Sequence, residues 1–246
     1  MVEPLFRAEF ATAPAVGSLV ELDGPEAKHA IAVRRMKPGE AIQLSNGSGL
    51  RVRGQVQELN GKSLTIAVTQ VIDEQIPAVQ FFLAQALAKG DRDELAIQAA
   101  TELGIFGIYP WQSERSVSRW DGAKVEKGKS RWQTIVNEAA KQSLRVFEPA
   151  VFDPLTSKQL AATFADFEQV IILDPTASAG LASNKLPQAG RLLLVVGPEG
   201  GISDQELTAF EAAGARRLNL GAPILRTSTA GVAALSGLLA VSGAWS

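Results

Sequence analysis

The first third of the chain alternates short apolar runs with turn sequences, which is typical of a small β domain. Asn-Gly, Pro-Gly and Asp-Gly-Pro sequences separate runs of strand length. Asn-Gly between alternating runs is the strongest short-range signal for a hairpin. One helix is predicted over 25–36, and it carries His29, Arg34 and Arg35. This pattern predicts a β-barrel-like module over residues 1–72, with strands over 18–22, 41–44, 50–56 and 64–68.

Beyond residue 72 the apolar runs alternate with segments of helix length. Strands are predicted over 79–84, 105–110 and 169–173, and helices over 91–103 and 124–142 lie between them. Strands that alternate with helices predict a mostly parallel sheet with helices on both faces. The chain is therefore predicted to be α/β, with a first domain over 1–72 and a second over 73–246.

Two glycine-bearing loops near the C-terminus each follow an apolar strand. The first loop is 197–201, Gly-Pro-Glu-Gly-Gly, and the second is 221–226, Gly-Ala-Pro-Ile-Leu-Arg. Ligands of open α/β sheets bind at the carboxyl ends of strands, so we expect the two loops to share one pocket. A side chain at Gly200 is expected to block close approach to the main chain and to disfavour a positive φ. The alternative for the first loop is a tight strand-to-helix turn with no ligand.

Polar residues beside these loops predict where the next helices begin. Ser203 and Glu206 have the spacing of a capping box, which places the first loop directly before a helix. Residues 227–229, Thr-Ser-Thr, are N-cap candidates for the last helix. Arg226 precedes an uncharged, small-residue segment that is predicted to be a helix buried in protein rather than a membrane span. A charge beside such a helix must be paired within the protein or must serve in binding or catalysis.

Composition and charge narrow the possible chemistry. The chain has no cysteine and one histidine, His29, so thiolate sites and multi-histidine metal sites are excluded and no metal is expected. Residues 113–145 carry eight basic and four acidic side chains, which makes this segment +4 while the rest of the chain is −6. Such a segment is either a solvated helix face or a contact surface for RNA. The charged first nine residues do not look like a signal peptide, so the cytoplasm is the expected compartment.

Several motifs, in their order along the chain, resemble one protein family, and the resemblance spans the whole sequence. The family is the bacterial 16S rRNA uridine-N3 methyltransferase family (RsmE type) of the SPOUT class. The motifs that carry the resemblance are 29–39 (HAIAVRRMKPG), 89–92 (KGDR), 102–104 (ELG), 113–116 (SERS), 198–201 (PEGG) and 224–230 (ILRTSTA).

The resemblance implies a fold and an assembly that periodicity alone would not suggest. It implies a PUA-like β-barrel domain followed by a SPOUT-type α/β domain with a C-terminal trefoil knot, although true knots are nearly absent from proteins. It also implies a homodimer that binds S-adenosyl-L-methionine in a bent form. Ser228 stands where the family often has Glu, so a carboxylate role is not carried over to this position.

The implied activity is methylation of N3 of a uridine in 16S rRNA. The expected substrate is the rRNA within an assembled small ribosomal subunit. The N3 proton must be removed or shared as the methyl group transfers, and the site must align the two reacting atoms. Arg226 is the candidate catalytic residue, because its cation can stabilise the oxyanion that develops on uracil. No residue is assigned as a general base. The candidate cofactor contacts are Leu173, Gly197, Glu199, Gly200, Gly201, Leu220, Gly221, Ile224 and Leu225, with Thr229 and Ala230 closing the pocket.

RNA is expected to contact basic side chains, mainly through its phosphates. Two other functions stay open at this point. A related SPOUT enzyme could methylate another RNA atom, such as a tRNA ribose 2′-oxygen, and a non-enzymatic RNA-binding protein could use the first domain alone. The candidate RNA contacts are Arg7, Arg34, Arg35, Lys37, Arg51, Arg53, Arg92 and Arg115, with the basic segment 113–145.

Overall fold

The structure, a computed structural model, describes residues 2–245 and divides the chain into two units. The first unit contains the described residues up to Ile76 together with Ala140–Glu148, and the second contains Pro77–Ala139 and the described residues from Pro149 onward. The division predicted at residues 72 and 73 assigns the later segment, 140–148, to the second domain. In the structure this segment belongs to the first unit.

The first unit is built on a five-stranded sheet with the order β1-β3-β4-β5-β2. The β1–β3 pair is parallel and the other pairs are antiparallel. Alternate residues of the long strands, such as Val52 and Val56, are buried in its core. The elements are β1 (Leu5–Arg7), β2 (Leu19–Leu22), α1 (Gly24–Lys28), β3 (Ala41–Ser45), β4 (Leu50–Leu59) and β5 (Leu64–Asp73).

The helix predicted over 25–36 is shorter and less regular than expected. The α-helix ends at Lys28, a π-helical turn follows over His29–Val33, and Arg35 has a positive φ of 53°. A non-glycine residue with positive φ is uncommon, and π-helical turns occur frequently at functional sites. The turn leaves Arg34 and Arg35 exposed.

The second unit contains a seven-stranded sheet with the order β12-β10-β11-β6-β7-β8, and β9 pairs with β7. Every pair in this sheet is parallel, which confirms the predicted mostly parallel sheet. The elements are β6 (Val79–Ala86), α2 (Arg92–Leu103), β7 (Gly107–Gln112), α3 (Ala123–Gln142, whose last residues lie in the first unit), β8 (Ala150–Val151), β9 (Leu155–Thr156), α4 (Ser157–Ala162), β10 (Gln169–Leu173), β11 (Gly190–Val196), α5 (Asp204–Ala212), β12 (Arg216–Leu218) and α6 (Thr227–Val241).

Helices cover both faces of the parallel sheet, as the sequence predicts. Leu192 and Leu194 of β11 pack in a core with α2 and α6, whereas Leu193 and Val195 pack in a second core with α4 and α5. Successive side chains of a strand point to opposite faces, so one uninterrupted apolar run serves both cores.

The uncharged last helix, α6, packs one face against α2 and the sheet. A Cβ atom at Gly231 would lie 3.1 Å from Cγ2 of Val196, which explains the small residue at this contact. The burial predicted for α6 holds for this face, while Gly237 and Val241 on the helix are exposed. Within the part of the chain that the structure describes, no helix is both long and apolar enough to cross a bilayer.

Candidate functional site

A cavity of about 590 Å³ lies at the carboxyl ends of β10, β11 and β12, entirely within the second unit. The register places Leu218, Leu173, Val196 and Gln85 in one row at the ends of four adjacent strands. Parallel strands expose their carboxyl ends at one edge of the sheet, which is where ligands of such sheets bind. Residues of both glycine-bearing loops line this cavity.

The first loop turns sharply between β11 and α5. The N–H of Gly201 donates to the carbonyl of Pro198 at 2.9 Å, and Gly201 has a φ of +73°. The positive φ expected at Gly200 is therefore found one residue later. Ser203 and Glu206 form the predicted capping box in both directions, so the loop leads directly into the first turn of α5.

A hydrogen-bond chain joins the first loop to the start of α6, directly after the second loop. The hydroxyl of Thr227 donates to the carbonyl of Gly197 at 2.8 Å and accepts from Nε2 of Gln85 at 2.9 Å. The expectation that residues 227–229 provide the N-cap of the last helix is wrong, because Arg226 is the N-cap and makes no side-chain capping bond. The hydroxyl of Thr227 instead connects α6 to the first loop, which sets the distance between the loops.

Asp174, which the sequence analysis missed, places a carboxylate in the cavity wall. It directly follows β10 and is only 8% exposed. Its carboxylate accepts from the N–H of Thr176 at 2.9 Å and from Nε of Arg217 at 2.7 Å. Burial acts to raise the pKa of Asp174, but the hydrogen bonds from Thr176 and Arg217 outweigh burial and hold this pKa below its ordinary value. A polar residue directly after a parallel strand was the signal that could have identified it.

Asp174→Asn is expected to lower the free energy of unfolding at pH 7 by about 1–3 kcal/mol, because two charge-assisted hydrogen bonds are weakened. A carboxyl group with a depressed folded-state pKa stabilises the fold above its unfolded-state pKa of about 3.9, and this contribution is lost as pH falls through the folded-state value. The stability difference between the wild type and Asp174→Asn should therefore shrink below about pH 4.

Thermal unfolding of both proteins between pH 7 and pH 3 measures this difference. Asp121→Asn, at an exposed position, is the control and should change stability by less than about 0.5 kcal/mol throughout. A difference between the wild type and Asp174→Asn that stayed constant down to pH 3 would contradict the assignment.

Glu199 connects the first loop to the segment that precedes α2. Its Oε1 accepts from the N–H of Lys89 at 3.1 Å and from Nη1 of Arg92 at 2.7 Å. Burial acts to raise the pKa of Glu199, but these hydrogen bonds and the charge of Arg92 hold it below its ordinary value. The carboxylate is therefore ionised at neutral pH, and it pairs with the Arg92 cation in the cavity wall.

Arg226 lines the same cavity with an unpaired charge. Its side chain is exposed and forms no ion pair or hydrogen bond with any residue among 2–245. Arg92 and Arg115 also line the cavity, but Arg92 is paired with Glu199 and Arg115 donates to the carbonyl of Gly200 at 3.3 Å. Among the three arginines of this wall, Arg226 is thus the one whose side chain has no partner among the described residues.

Most of the residues predicted to contact a cofactor come together here, and two do not. Gly200 and Thr229 lie outside the lining, and Gly200 packs against Arg115 instead. The predicted residues that line the cavity are Leu173, Gly197, Glu199, Gly201, Leu220, Gly221, Ile224, Leu225 and Ala230, together with Arg226. The lining residues that the sequence analysis named neither as cofactor nor as RNA contacts are Asp174, Pro175, Thr176, Val196, Pro198, Ile202, Asp204, Leu207, Pro223 and Thr227.

The predicted RNA contacts in the first unit divide into exposed and paired side chains. Arg34, Arg35 and Lys37 are exposed beside the π-helical turn. In contrast, Arg7 pairs with Glu148 at 2.9 Å and Arg51 with Glu74 at 2.6 Å, and both arginine side chains are mostly buried. Arg53 is half-exposed, and its Nε lies 3.8 Å from a carboxylate oxygen of Glu3.

Comparison with known families identifies two matching regions. Residues 74–239 match the model of an RNA methyltransferase domain, and residues 22–69 match the model of an RNA methyltransferase PUA domain. The first match contains every residue that lines the cavity.

Individual proteins are similar over nearly the whole chain. The ribosomal RNA small subunit methyltransferase E of Mycobacterium bovis is 38% identical over 251 aligned positions, which cover 100% of this chain and 94% of the relative. The protein of the same name from Bacillus subtilis is 33% identical, with 88% of each chain covered. The crystal structure of the corresponding Neisseria gonorrhoeae protein bound to S-adenosyl methionine superposes with a TM-score of 0.86 at 28% identity, with 98% of each chain covered.

Proposed function

The chain belongs to the ribosomal RNA small subunit methyltransferase E family, and on this premise we propose that it methylates N3 of a uridine in 16S rRNA, using S-adenosyl-L-methionine. The observation that carries the proposal is the convergence of both glycine-bearing loops on one cavity at the carboxyl ends of β10, β11 and β12. A non-enzymatic RNA-binding protein would have no need of this arrangement.

The cavity fits S-adenosylmethionine in size and in chemistry. A volume of about 590 Å³ lies within the range of roughly 300–1,000 Å³ that is usual for cofactor sites. Apolar side chains such as Leu173 and Leu220 form part of the wall. Asp174 and Glu199 are each paired with an arginine, but their carboxylates can accept further hydrogen bonds from a ligand. When bound, S-adenosylmethionine supplies an electrophilic methyl group. The cofactor-bound Neisseria gonorrhoeae relative supports this assignment.

Arg226 is the proposed catalytic residue. Loss of the N3 proton leaves negative charge on the uracil carbonyl oxygens, and a guanidinium that is already in place can stabilise this charge. The exposed, unpaired side chain of Arg226 at the cavity wall suits this role. We assign no residue as the general base that removes the N3 proton.

We assign phosphate contacts to the exposed cations and leave out the three arginines that are held in close ion pairs. Arg34, Arg35, Lys37 and Arg53 would contact RNA from the first unit, and Arg115 would do so at the cavity of the second. Arg7, Arg51 and Arg92 already pair with carboxylates, so their charges are compensated within the protein. Contacts of this kind orient the RNA without reading its sequence.

Four further features are part of the proposal and rest on the family resemblance. They are a homodimer, a C-terminal trefoil knot, a cytoplasmic location and action on an assembled small subunit. The modest net charge of −2 agrees with a substrate that is a folded particle, because a binder of loose RNA would be expected to be more basic.

Small subunits from a strain that lacks the gene provide the test of the function. We expect the purified protein to restore one methyl group per particle when S-adenosylmethionine is supplied, and nucleoside mass analysis to identify 3-methyluridine. A 2′-O-methylated nucleoside would favour the related SPOUT activity. If calorimetry detected no binding of S-adenosylmethionine, the proposal would fail altogether.

A further inference from the structure

A buried carboxylate outside the cavity lining joins three segments of the second unit. Glu206 is 6% exposed and lies in the first turn of α5. Its Oε1 accepts from the N–H of Glu114 at 2.7 Å and from the hydroxyl of Ser157 at 2.5 Å, and its Oε2 accepts from the N–H of Ser203 at 3.0 Å. A capping box requires only the last of these bonds. The other two fix the β7–α3 connection and the start of α4.

The bond to Glu114 places the following residue, Arg115, against the first loop. A Cβ atom at Gly200 would lie 3.2 Å from Cβ of Arg115, and Nη1 of Arg115 donates to the carbonyl of Gly200 at 3.3 Å. Arg115 also lines the cavity, although Glu206 does not. Glu206 is therefore connected, through the backbone of Glu114, to the Arg115 cation in the cavity wall.

The rest of the β7–α3 connection is held at both ends, so Glu114 sets the direction of Arg115. The hydroxyls of Ser113 and Ser116 are 3.2 Å apart and both residues are buried. Further along, the side-chain amide of Gln112 accepts from the N–H of Trp120 at 3.0 Å. With these anchors in place, losing the bond at Glu114 would release the short stretch that carries Arg115.

We propose that Glu206 is a positioning residue for the methylation reaction: its carboxylate holds the backbone of Glu114 and so presents Arg115 to the RNA at the cavity. This inference rests on the proposed function for its substrate. A carboxylate suits the position because all three partners donate hydrogen bonds, and an ionised carboxylate is an acceptor on both oxygens. Glutamine would place an NH₂ group against one of the donors and lose at least one bond.

The first measurement needs no methylation activity. Glu206→Ala is expected to speed amide hydrogen exchange in residues 113–119 relative to the wild type, because the N–H of Glu114 loses its acceptor. Glu206→Asp, which keeps the charge but shortens the side chain, should have the same effect and serves if the alanine variant folds poorly. Ser203→Ala weakens the same capping box but leaves the Glu114 bond, so it should leave exchange in 113–119 unchanged.

The second measurement is a double-mutant cycle with Arg115→Ala, using small subunits as substrate. Each single substitution is expected to raise KM by about tenfold, with kcat within about twofold, and the double variant should resemble Arg115→Ala alone. Ser203→Ala combined with Arg115→Ala should show independent effects.

Unchanged exchange in 113–119 in Glu206→Ala, or effects of Glu206→Ala and Arg115→Ala that multiply, would overturn the positioning role. A wild-type protein that fails to methylate rRNA would instead overturn the proposed function and with it the stated substrate. Because hydrogen exchange needs no methylation activity, it tests the positioning of Arg115 independently of the proposed function.

Discussion

Replacing Arg226 with alanine is expected to lower turnover by roughly 10²- to 10³-fold, the usual cost of losing an oxyanion-stabilising donor. The affinity for S-adenosylmethionine should change far less, because the charge on uracil develops only during the reaction. Arg226 forms no ion pair among residues 2–245, so its removal leaves no buried carboxylate without a partner. Single-turnover methylation and calorimetry on the same folded preparation measure the two quantities.

Two further variants sharpen this test. Arg226→Lys should recover only part of the activity, because an ammonium cannot donate two parallel hydrogen bonds as a guanidinium does. Arg216→Ala removes another exposed arginine of the second unit, one outside the cavity lining, and should leave turnover within about twofold. Equal losses of turnover and cofactor affinity in Arg226→Ala would remove Arg226 from the catalytic role.

Gly200→Val is expected to weaken S-adenosylmethionine binding by roughly 10- to 100-fold or more while the protein stays folded, since overpacking of this kind costs about 1–3 kcal/mol. The reason is steric: a Cβ atom at Gly200 would meet Cβ of Arg115 at 3.2 Å and its carbonyl oxygen at 3.4 Å, and valine adds two more carbons. The first loop must then shift, and its neighbours Gly197 and Gly201 line the cavity. Calorimetry with the cofactor measures the loss.

The matched control is Gly237→Val, at an exposed glycine of α6 where an added Cβ would meet no atom within 4 Å. It should leave cofactor affinity unchanged. Arg115→Gly in the Gly200→Val background removes the atom at 3.2 Å and should restore part of the affinity. An unaltered affinity in Gly200→Val would contradict the proposed role of the first loop.

Periodicity predicted the second unit well because its signals are local. The run 192–196 is apolar at every position, and a strand buried on both faces requires this pattern. The strand predicted over 169–173 has these bounds in the structure. The predicted fold class, a SPOUT-type α/β domain with a PUA-like domain before it, is confirmed. The trefoil knot, the homodimer and the target atom stay predictions.

Predictions were weaker where a side chain had a choice of partners. The hydroxyl of Thr227 was expected to cap a helix and instead bonds to the carbonyl of Gly197. Arg7 and Arg51 were expected to contact RNA, but carboxylates distant in sequence pair with both. A basic side chain looks the same in a sequence whether it is solvated or paired, so only its neighbours in space distinguish the two.

The sequence by itself determined most of the strands and the two loops at their carboxyl ends, because backbone propensity, apolar periodicity and glycine loops act over a few residues. The short strands β1, β8 and β9 were not predicted, and the catalytic role of Arg226 stays a prediction. The tertiary structure decided which groups share the cavity. Asp174 reaches it through the register of β10 with its neighbours, and Glu206 holds Glu114 from 92 positions away along the chain. Such contacts depend on long-range packing, which no local pattern encodes, and they set the charge and the shape of the site.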